Sequence, residues 1–408
     1  MRNIFLILII FASNLLYAQQ SANDFYDLGV SKFKAKEYLA AIDLYSKCIE
    51  KSPYYYEAYL DRGRCQLALG KKDLALADYN LALKTKKDYA DAMYYRSMFF
   101  RDEKKYKDAL LDVNNAIKLK PKDEKLYLLR ISIYELQKNT AEIINDYNKI
   151  LEINPDNFQI LIARGKFFMA NKMDEKAFND FSAVINKNGT IGEPYYWRGI
   201  ILENVERFGV ALEDYSSAIK NNFSNEDIHK RRFKLYLKNK QYDLAIADLT
   251  IIIDKYSPKS DSIWNERGKC YAALNKHELA LVDFNKAIML NKDFEEAYIN
   301  RANSKVALKK DASALADYNK ILYLNPKNGF AYEGRGIYYF NRKNFNAARE
   351  DFDKAIKFSP NSAKAYYFRG AMKDENGDGN GACEDLRKAA DLGYEDAIAA
   401  LKRVCGGK

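Results

Sequence analysis

The sequence predicts an all-α solenoid built from eleven consecutive helix hairpins, and two spacings and the composition support this prediction. Arginines recur every 34 residues, with one interval of 35: Arg62, Arg96, Arg130, Arg164, Arg198, Arg232, Arg267, Arg301, Arg335 and Arg369. An aspartate follows each arginine after sixteen residues: Asp78, Asp112, Asp146, Asp180, Asp214, Asp248, Asp283, Asp317, Asp351 and Asp385. Only 7 prolines and 19 glycines occur in 408 residues, which are too few turn-forming residues for a protein of many short strands. A fixed period of this length is typical of a repeat architecture.

The first eighteen residues are predicted to be a signal peptide that lies outside the fold. Arg2 precedes an almost wholly apolar run from Ile4 to Leu16, and Ala18 precedes the polar Gln19. This order is typical of a secretory signal that is cleaved after Ala18. The apolar run is short for a bilayer span, so the membrane is involved only if the segment stays uncleaved. We therefore expect an exported protein that is periplasmic, associated with the outer envelope, or secreted.

Each repeat contains the pattern of two amphipathic helices. On the first helix, three positions share one face. They hold an aromatic ring three residues before the arginine, a glycine directly after it and a second ring four residues after it. On the second helix, Ala211, Tyr215 and Ala218 illustrate a face of small and aromatic residues. Prolines then end several repeats, because proline cannot continue a helix. At the single interval of 35, Ser257 and Pro258 are expected to lengthen a turn.

The repeat boundaries follow from this register. The eleven repeats span about 22–55, 56–89, 90–123, 124–157, 158–191, 192–225, 226–260, 261–294, 295–328, 329–362 and 363–396. Residues 397–408 are predicted to form a C-terminal capping helix and tail. No linker interrupts the series, which predicts a single solenoid domain.

The sequence resembles the tetratricopeptide repeat (TPR) family in four features. These are the 34-residue period, the ring–Gly–ring first helix, the Ala–Tyr–Ala second helix (Ala75, Tyr79, Ala82) and the closing prolines. The resemblance covers nearly all of the chain after residue 22. It implies a right-handed superhelix whose first helices line a concave groove for peptides or proteins. The closing segment Gly381-Ala382-Cys383-Glu384-Asp385 also resembles exported multi-repeat TPR proteins of Bacteroidetes-type bacteria.

By this resemblance, the positions two before, two after and five after each arginine face the groove. They are largely apolar in the first six repeats and become lysines in the seventh and eighth. The predicted peptide-binding residues are Tyr94, Met98, Tyr196, Ile200, Lys230, Lys234 and Lys269. A protein or peptide with an acidic end would suit this surface. The alternative interpretation is that the rings pack between helices and the lysines form a solvated face.

The arginine–aspartate series is predicted to be structural. Arg62 with Asp78, Arg198 with Asp214, and Arg301 with Asp317 are representative ion pairs. The first repeat carries Leu28 and Leu44 in the two positions, so both charges are lost together. This joint loss predicts that each pair closes within one hairpin.

Little in the sequence indicates catalysis, and we expect neither an enzyme nor a cofactor. Of the two histidines, His229 occupies a ring position of a first helix, and no nucleophile stands at motif spacing from it. A net charge of +10 raises the alternative of an RNA-binding helical-repeat protein. Such proteins read bases with polar side chains at fixed positions. The groove positions show no such pattern here, so a nucleic acid is not the expected partner.

One segment has the spacing of a calcium-binding loop. Asp374, Asn376, Asp378 and Asp385 match a D-x-N-x-D-G series with an acid at its twelfth position. The repeat register continues through this segment, so an ordinary turn is the preferred interpretation. Calcium binding at the last repeat stays the alternative, and no metal is predicted.

The five cysteines fall into two groups. Cys48, Cys65 and Cys270 occupy small packing positions and are expected to be buried free thiols. Cys383 and Cys405 lie on the last two predicted helices. They either form a disulfide that joins the cap to the array or remain reduced, and the sequence leaves this open together with the oligomeric state.

Overall fold

The computed structural model describes residues 20–406, so the predicted signal peptide lies outside the described residues. Within this range the chain forms 23 α-helices and one π-helical turn, and it forms no strand. Consecutive helices pack as antiparallel pairs, which is the architecture of an α-solenoid. None of the helices in the described range combines the length and the apolar character that crossing a bilayer requires.

The chain divides into two compact units, and the first ends at Asn188. It holds five hairpins, each made of a first helix and a second helix. In chain order its helices are α1 (Ala22–Lys34), α2 (Tyr38–Lys51), α3 (Tyr56–Ala68), α4 (Lys72–Thr85), α5 (Ala90–Asp102), α6 (Tyr106–Leu119), α7 (Glu124–Leu136), α8 (Thr140–Ile153), α9 (Phe158–Ala170) and α10 (Asp174–Lys187).

The second unit begins at Gly189 and holds six hairpins and a final helix. Its helices are α11 (Glu193–Asn204), α12 (Phe208–Lys220), α13 (Glu226–Lys238), α14 (Tyr242–Ile251), α15 (Asp261–Ala273), α16 (His277–Leu290), α17 (Glu295–Ala307), α18 (Asp311–Leu324), α19 (Gly329–Asn341), α20 (Phe345–Phe358), α21 (Ala363–Glu375), α22 (Gly379–Asp391) and α23 (Glu395–Cys405). The final helix packs on α22, where the sequence predicts a capping helix.

The turn inside every hairpin contains one residue in the left-handed region. These residues lie eight positions after the arginine position: Lys36, Gly70, Lys104, Lys138, Lys172, Glu206, Lys240, Asn275, Lys309, Lys343 and Gly377. A left-handed residue just past a helix end allows the chain to reverse, and glycine adopts it with least strain. Most hairpins use lysine here, so this turn carries local strain in most of the repeats.

A close approach between the two helices of a hairpin forms the core. Gly199 on α11 lies against the ring of Tyr215 on α12, and a Cβ at Gly199 would stand 2.7 Å from Cε1 of that ring. Tyr215 is fully buried as a result. In hairpin 7 the glycine is replaced by Phe233 and the ring by Leu249, and both are buried in one cluster. The total volume of the two positions is therefore balanced within each of these hairpins.

The single 35-residue interval is explained by a π-helical turn. α14 continues directly into the π-helix Ile252–Tyr256, and the turn at Ser257 and Pro258 follows it. A π-helical turn takes one more residue than an α-helical turn. Ile252 and Ile253 remain buried in the core despite the insertion. The sequence prediction that Ser257 and Pro258 lengthen a turn is thus incomplete, because the helix end itself takes up the extra residue.

Candidate functional site

Each arginine of the series lies on a first helix and forms a two-point ion pair with the aspartate of its own hairpin. Arg62 donates from Nε to Oδ2 of Asp78 at 2.8 Å and from Nη2 to Oδ1 at 2.7 Å. Arg198 pairs with Asp214 at 2.8 Å through both nitrogens. The side chain of Asp214 is only 5% exposed, so the pair lies mostly out of water. A planar guanidinium matches a carboxylate in this way, which makes the pair specific in geometry.

The third guanidinium nitrogen reaches the preceding hairpin, a contact that the arginine–aspartate spacing does not predict. Arg301 pairs with Asp317 through Nε at 3.1 Å and Nη2 at 2.6 Å, and its Nη1 donates to Oδ1 of Asn285 at 2.7 Å. The equivalent acceptor position, two residues after the aspartate position, holds Ser46, Asn80, Asn114, Asn148, Ser216, Thr250, Asn319 and Asp353. Each of these arginines therefore joins two hairpins, and this recurrence of Asn, Ser and Thr was the available sequence signal.

The guanidinium of Arg62 carries a fixed positive charge. Hydrogen bonding to Asp78 raises the pKa of the Arg62 guanidinium above its ordinary value, although burial acts in the opposite direction. The guanidinium therefore stays protonated over the whole physiological range, and the pair has no proton to transfer.

In the first unit, the first helices α3, α5 and α7 form a cleft of about 290 Å³ that we call the tyrosine cleft. It is lined by Leu60, Asp61, Arg64, Tyr89, Asp91, Tyr94, Tyr95, Asp123, Lys125 and Leu126. Tyr94 also lines an adjoining depression together with Met98 and Arg101. Two of the predicted groove residues, Tyr94 and Met98, thus lie on the same half-exposed surface.

The second unit has a cleft of about 460 Å³ between α13 and α15, which we call the lysine cleft. It is lined by Lys230, Phe233, Lys234, Leu237, Ser260, Ser262, Ile263 and Glu266. Lys230 pairs with Glu226 at 2.8 Å, and Lys269 pairs with Glu266 at 2.8 Å and with Glu296 at 3.2 Å. Lys234 is exposed on the cleft. The basic character predicted from the sequence is therefore reduced by local acids at Lys230 and Lys269.

The two other predicted groove residues, Tyr196 and Ile200, are buried, with exposures of 7% and 8%. The Tyr196 hydroxyl donates to Asp227 at 2.8 Å, and Arg231 donates to the same carboxylate at 2.6 Å. Burial, followed by this hydrogen bond, raises the pKa of Tyr196 to about 12. These two side chains pack between helices instead of presenting an open surface, because the large ring of Tyr196 fills the space beside Tyr215.

The residues with calcium-loop spacing are engaged in separate interactions. Asp385 pairs with Arg369 at 2.7 Å and with Lys373 at 2.9 Å. Asp378 caps α22 by accepting from the backbone N–H of Gly381 at 2.9 Å. Asp374 lies near the end of α21, and Asn376 directly follows that helix. In residues 20–406, no group of three or more His, Cys, Asp or Glu side chains is arranged to hold a metal ion.

His229 is fixed by two contacts that resemble a serine–histidine–aspartate arrangement. Its Nδ1 lies 2.8 Å from Asp248 and its Nε2 lies 2.9 Å from Oγ of Ser224. Asp248 is already held at two points by Arg232, as in the other hairpins of the series. An aspartate neutralised in this way stabilises an imidazolium poorly, which argues against a catalytic relay.

A structural role for His229 follows from the equivalent rings. In hairpin 4 the Tyr127 hydroxyl donates to the carbonyl oxygen of Pro121 at 2.9 Å, and in hairpin 9 Tyr298 donates to Lys292 at 3.2 Å. Each ring thereby anchors the turn that precedes its helix. His229 makes the same kind of anchor through Ser224, a contact that its sequence position did not reveal.

The cysteines separate as two groups in the structure. Cys383 and Cys405 form a disulfide that joins α22 to α23. Cys48, Cys65 and Cys270 are free and buried. Burial raises the pKa of Cys48 to about 11 and the pKa values of Cys65 and Cys270 to about 12. None of these three thiols has the low pKa that a reactive thiolate needs.

Solved structures of similar fold include several TPR proteins. A TPR protein from Parabacteroides merdae is 23% identical, with 60% of this chain and 98% of that chain covered and a TM-score of 0.39. The C-terminal part of a TPR repeat-containing protein from Cytophaga hutchinsonii is 17% identical, with 59% and 99% covered and a TM-score of 0.46. YrrB, described as a TPR protein with an unusual peptide-binding site, is 21% identical, with 45% and 95% covered and a TM-score of 0.39.

The sequence itself matches family models in four stretches. Residues 26–90, 262–294, 295–328 and 329–362 each match a model of the tetratricopeptide repeat. The comparison with curated proteins finds no match. The matched stretches come from both units and share the register of the arginine series. These four stretches are tetratricopeptide repeats, and such repeats support a role as a protein-interaction scaffold.

Proposed function

We propose that the protein is a non-catalytic scaffold that binds an extended peptide or protein segment along its first helices, with an acidic part of that segment in the lysine cleft. The observation that carries this proposal is the composition of the lysine cleft. Phe233, Leu237 and Ile263 supply its apolar lining, and Lys230 and Lys234 also line it. An apolar side chain next to a carboxylate is complementary to such a cleft.

Charge supports the choice of an acidic segment. The charged residues of the lining are Lys230, which pairs with Glu226, together with Lys234 and Glu266. Glu266 already accepts from Lys269 at 2.8 Å, so its charge is partly compensated. Lys234 is exposed and projects on the surface next to the apolar residues. A ligand carboxylate therefore meets a locally positive potential at Lys234, the lining cation that no acid of the described residues neutralises.

The test is a binding measurement with matched peptides. A labelled peptide that ends in Phe-Glu-Glu is titrated with the protein, and the same peptide ending in Phe-Gln-Gln serves as the uncharged control. We expect the acidic peptide to bind at least tenfold more tightly, with an affinity that falls as salt increases. Equal affinities for the two peptides contradict the proposed preference.

Two variants connect the binding to the cleft. Lys234→Glu reverses a charge on the cleft, whereas Lys255→Glu makes the same change on the exposed π-helical turn. We expect the first variant to weaken binding of the acidic peptide at least tenfold and the second to leave it within twofold. Equal losses in both variants would show a diffuse charge effect instead of a site.

The proposal places the protein in the cell envelope or outside the cell, on the basis of the predicted signal peptide at residues 1–18. Expression of the full chain in a bacterial host, followed by fractionation and N-terminal sequencing, tests this location. We expect a mature protein that begins at Gln19 in the periplasmic or extracellular fraction. A full-length chain in the cytoplasm overturns the localisation and leaves the binding proposal intact.

A further inference from the structure

The tyrosine cleft in the first unit carries the opposite charge balance to the lysine cleft. Three carboxylates, Asp61, Asp91 and Asp123, line it against two cations, Arg64 and Lys125. Asp61 and Arg64 neutralise each other at 2.7 Å. Asp91 is exposed and pairs at 2.8 Å with Lys120, which lies outside the cleft lining, so its charge is partly compensated. No cation of the described residues forms a salt bridge with the half-buried Asp123, so its carboxylate is left for a cationic ligand.

The aromatic lining supports the same ligand class. Tyr94 and Tyr95 lie edge to face with their ring centroids 5.2 Å apart, so they offer ring faces in two directions. The protein already holds one guanidinium on this surface. The Cζ atom of Arg64 stands 4.5 Å from the centroid of Tyr95 and 4.5 Å from that of Phe33. Aromatic faces and nearby carboxylates together are a common way to bind a guanidinium.

From these observations we infer that the tyrosine cleft binds an arginine side chain presented by a partner polypeptide. The guanidinium stacks on Tyr94 and lies near the carboxylates of Asp91 and Asp123, and the partner's backbone follows the first helices. This inference rests on the proposed function, because the ligand is again a polypeptide segment. It concerns a different cleft and the opposite charge, so the two proposals can fail separately.

The test compares two peptides that differ by one charge. An otherwise uncharged labelled peptide with a single arginine is titrated with the full protein, and the same peptide with citrulline in that place is the control. Citrulline keeps the shape of arginine and removes its charge. We expect the arginine peptide to bind roughly fivefold to tenfold more tightly. Equal binding of both peptides, or no binding of the arginine peptide at millimolar protein, overturns the inference.

Variants then assign the binding to the cleft. Asp91→Asn removes a rim charge without changing shape, and Tyr94→Leu removes the ring. We expect each to weaken binding of the arginine peptide at least threefold, while Tyr54→Leu, at a tyrosine that is 83% exposed, leaves it unchanged. Unchanged affinity in both cleft variants contradicts the assignment. Because Asp91 is exposed, its variant gives a valid answer even if Tyr94→Leu folds poorly.

The acidic peptide of the earlier test provides the internal reference. If the arginine peptide fails to bind while the acidic peptide binds the lysine cleft, only the present inference is wrong. If both peptides fail, the proposed function fails with it. The Lys234→Glu variant should bind the arginine peptide like the unmodified protein, because the two clefts belong to different units.

Discussion

Asn285 accepts a hydrogen bond from Nη1 of Arg301 at 2.7 Å, across the boundary between two consecutive hairpins. The same guanidinium is held by Asp317 in its own hairpin. One side chain thus contributes both to the fold of a hairpin and to the stacking of two hairpins. Stability in a solenoid is a sum of such internal and neighbour contributions.

Replacing Asn285 with alanine removes the neighbour contribution alone. We expect Asn285→Ala to lower the free energy of unfolding by about 1 kcal/mol, since one charge-assisted hydrogen bond on the surface is lost. Asn285→Asp is the control, because Asp353 occupies the equivalent position and accepts from Arg369 at 2.7 Å. Urea denaturation should show the aspartate variant at least as stable as the unmodified protein. An alanine variant of full stability would mean that this bond does not contribute to stacking.

Removing Asp214 leaves the half-buried guanidinium of Arg198 without its carboxylate partner. We expect Asp214→Ala to destabilise the protein by roughly 3 kcal/mol, at the lower end for a broken buried ion pair because the arginine is partly exposed. The double variant Arg198→Leu/Asp214→Leu should lose less, since no charge is left unpaired. Thermal denaturation of both variants checks this. A single variant that melts like the unmodified protein would make the pair a surface feature.

The contact between Gly199 and Tyr215 predicts a strong effect of one added methyl group. Gly199→Ala places a Cβ 2.7 Å from the Tyr215 ring and should destabilise the protein by about 1–3 kcal/mol. Gly209→Ala is the matched control, because no heavy atom other than those of its own chain neighbours and the adjacent helix backbone lies within 4 Å of its added Cβ. That change should be neutral or slightly stabilising, as alanine favours a helix. Equal effects of both substitutions would contradict the packing argument.

The left-handed turn residue Lys138 predicts a stabilising substitution. Its φ is 57°, a conformation that glycine adopts without strain. We expect Lys138→Gly to raise the free energy of unfolding by about 0.5–1 kcal/mol. The reason is that the relief of backbone strain in the folded state outweighs the conformational entropy that glycine adds to the unfolded chain. Gly70, with a φ of 77°, allows the reverse experiment. Gly70→Ala should be destabilising, and urea denaturation of both variants measures the two effects.

The cysteines predict a specific pattern of thiol reactivity. Burial raises the pKa of Cys65 and of Cys270 to about 12, and that of Cys48 to about 11, so at pH 8 almost no thiolate is present. The folded protein should react very slowly with a thiol reagent. After unfolding without reductant, three thiols should react, because Cys383 and Cys405 are joined; five reactive thiols would contradict the disulfide. Rapid reaction of any thiol in the folded state would contradict the buried positions.

The sequence alone was sufficient to predict the fold class. The 34-residue period and the glycine–ring pattern specify which residues share one face of each helix, and helical geometry then dictates an array of hairpins. The first helices begin at residues 22, 56, 90, 124 and 158 in the first unit, the spacing that the arginine series predicts. The spacing also identified the partners of each ion pair, because sixteen residues connect two helices of a single hairpin.

The clefts were only partly predictable. Tyr94, Lys230 and Lys234 were found from their offset on the first helix, but Tyr89, Asp91 and Ser260 also line the clefts. These residues lie in the turns or at helix starts, where the periodic pattern gives no orientation. The contact of His229 with Ser224 was equally hidden, since it depends on the path of one turn.

The sequence by itself therefore determined the periodic features of this protein: its helices, their apolar faces and the arginine–aspartate pairs. Only the tertiary structure decided how neighbouring hairpins meet, which buried Tyr196, bonded Arg301 to Asn285 and opened the clefts beside Tyr94 and Lys234. The physical reason is that periodicity sets the direction of a side chain from its own helix. The distance to the next helix depends on the combined volumes of side chains from both.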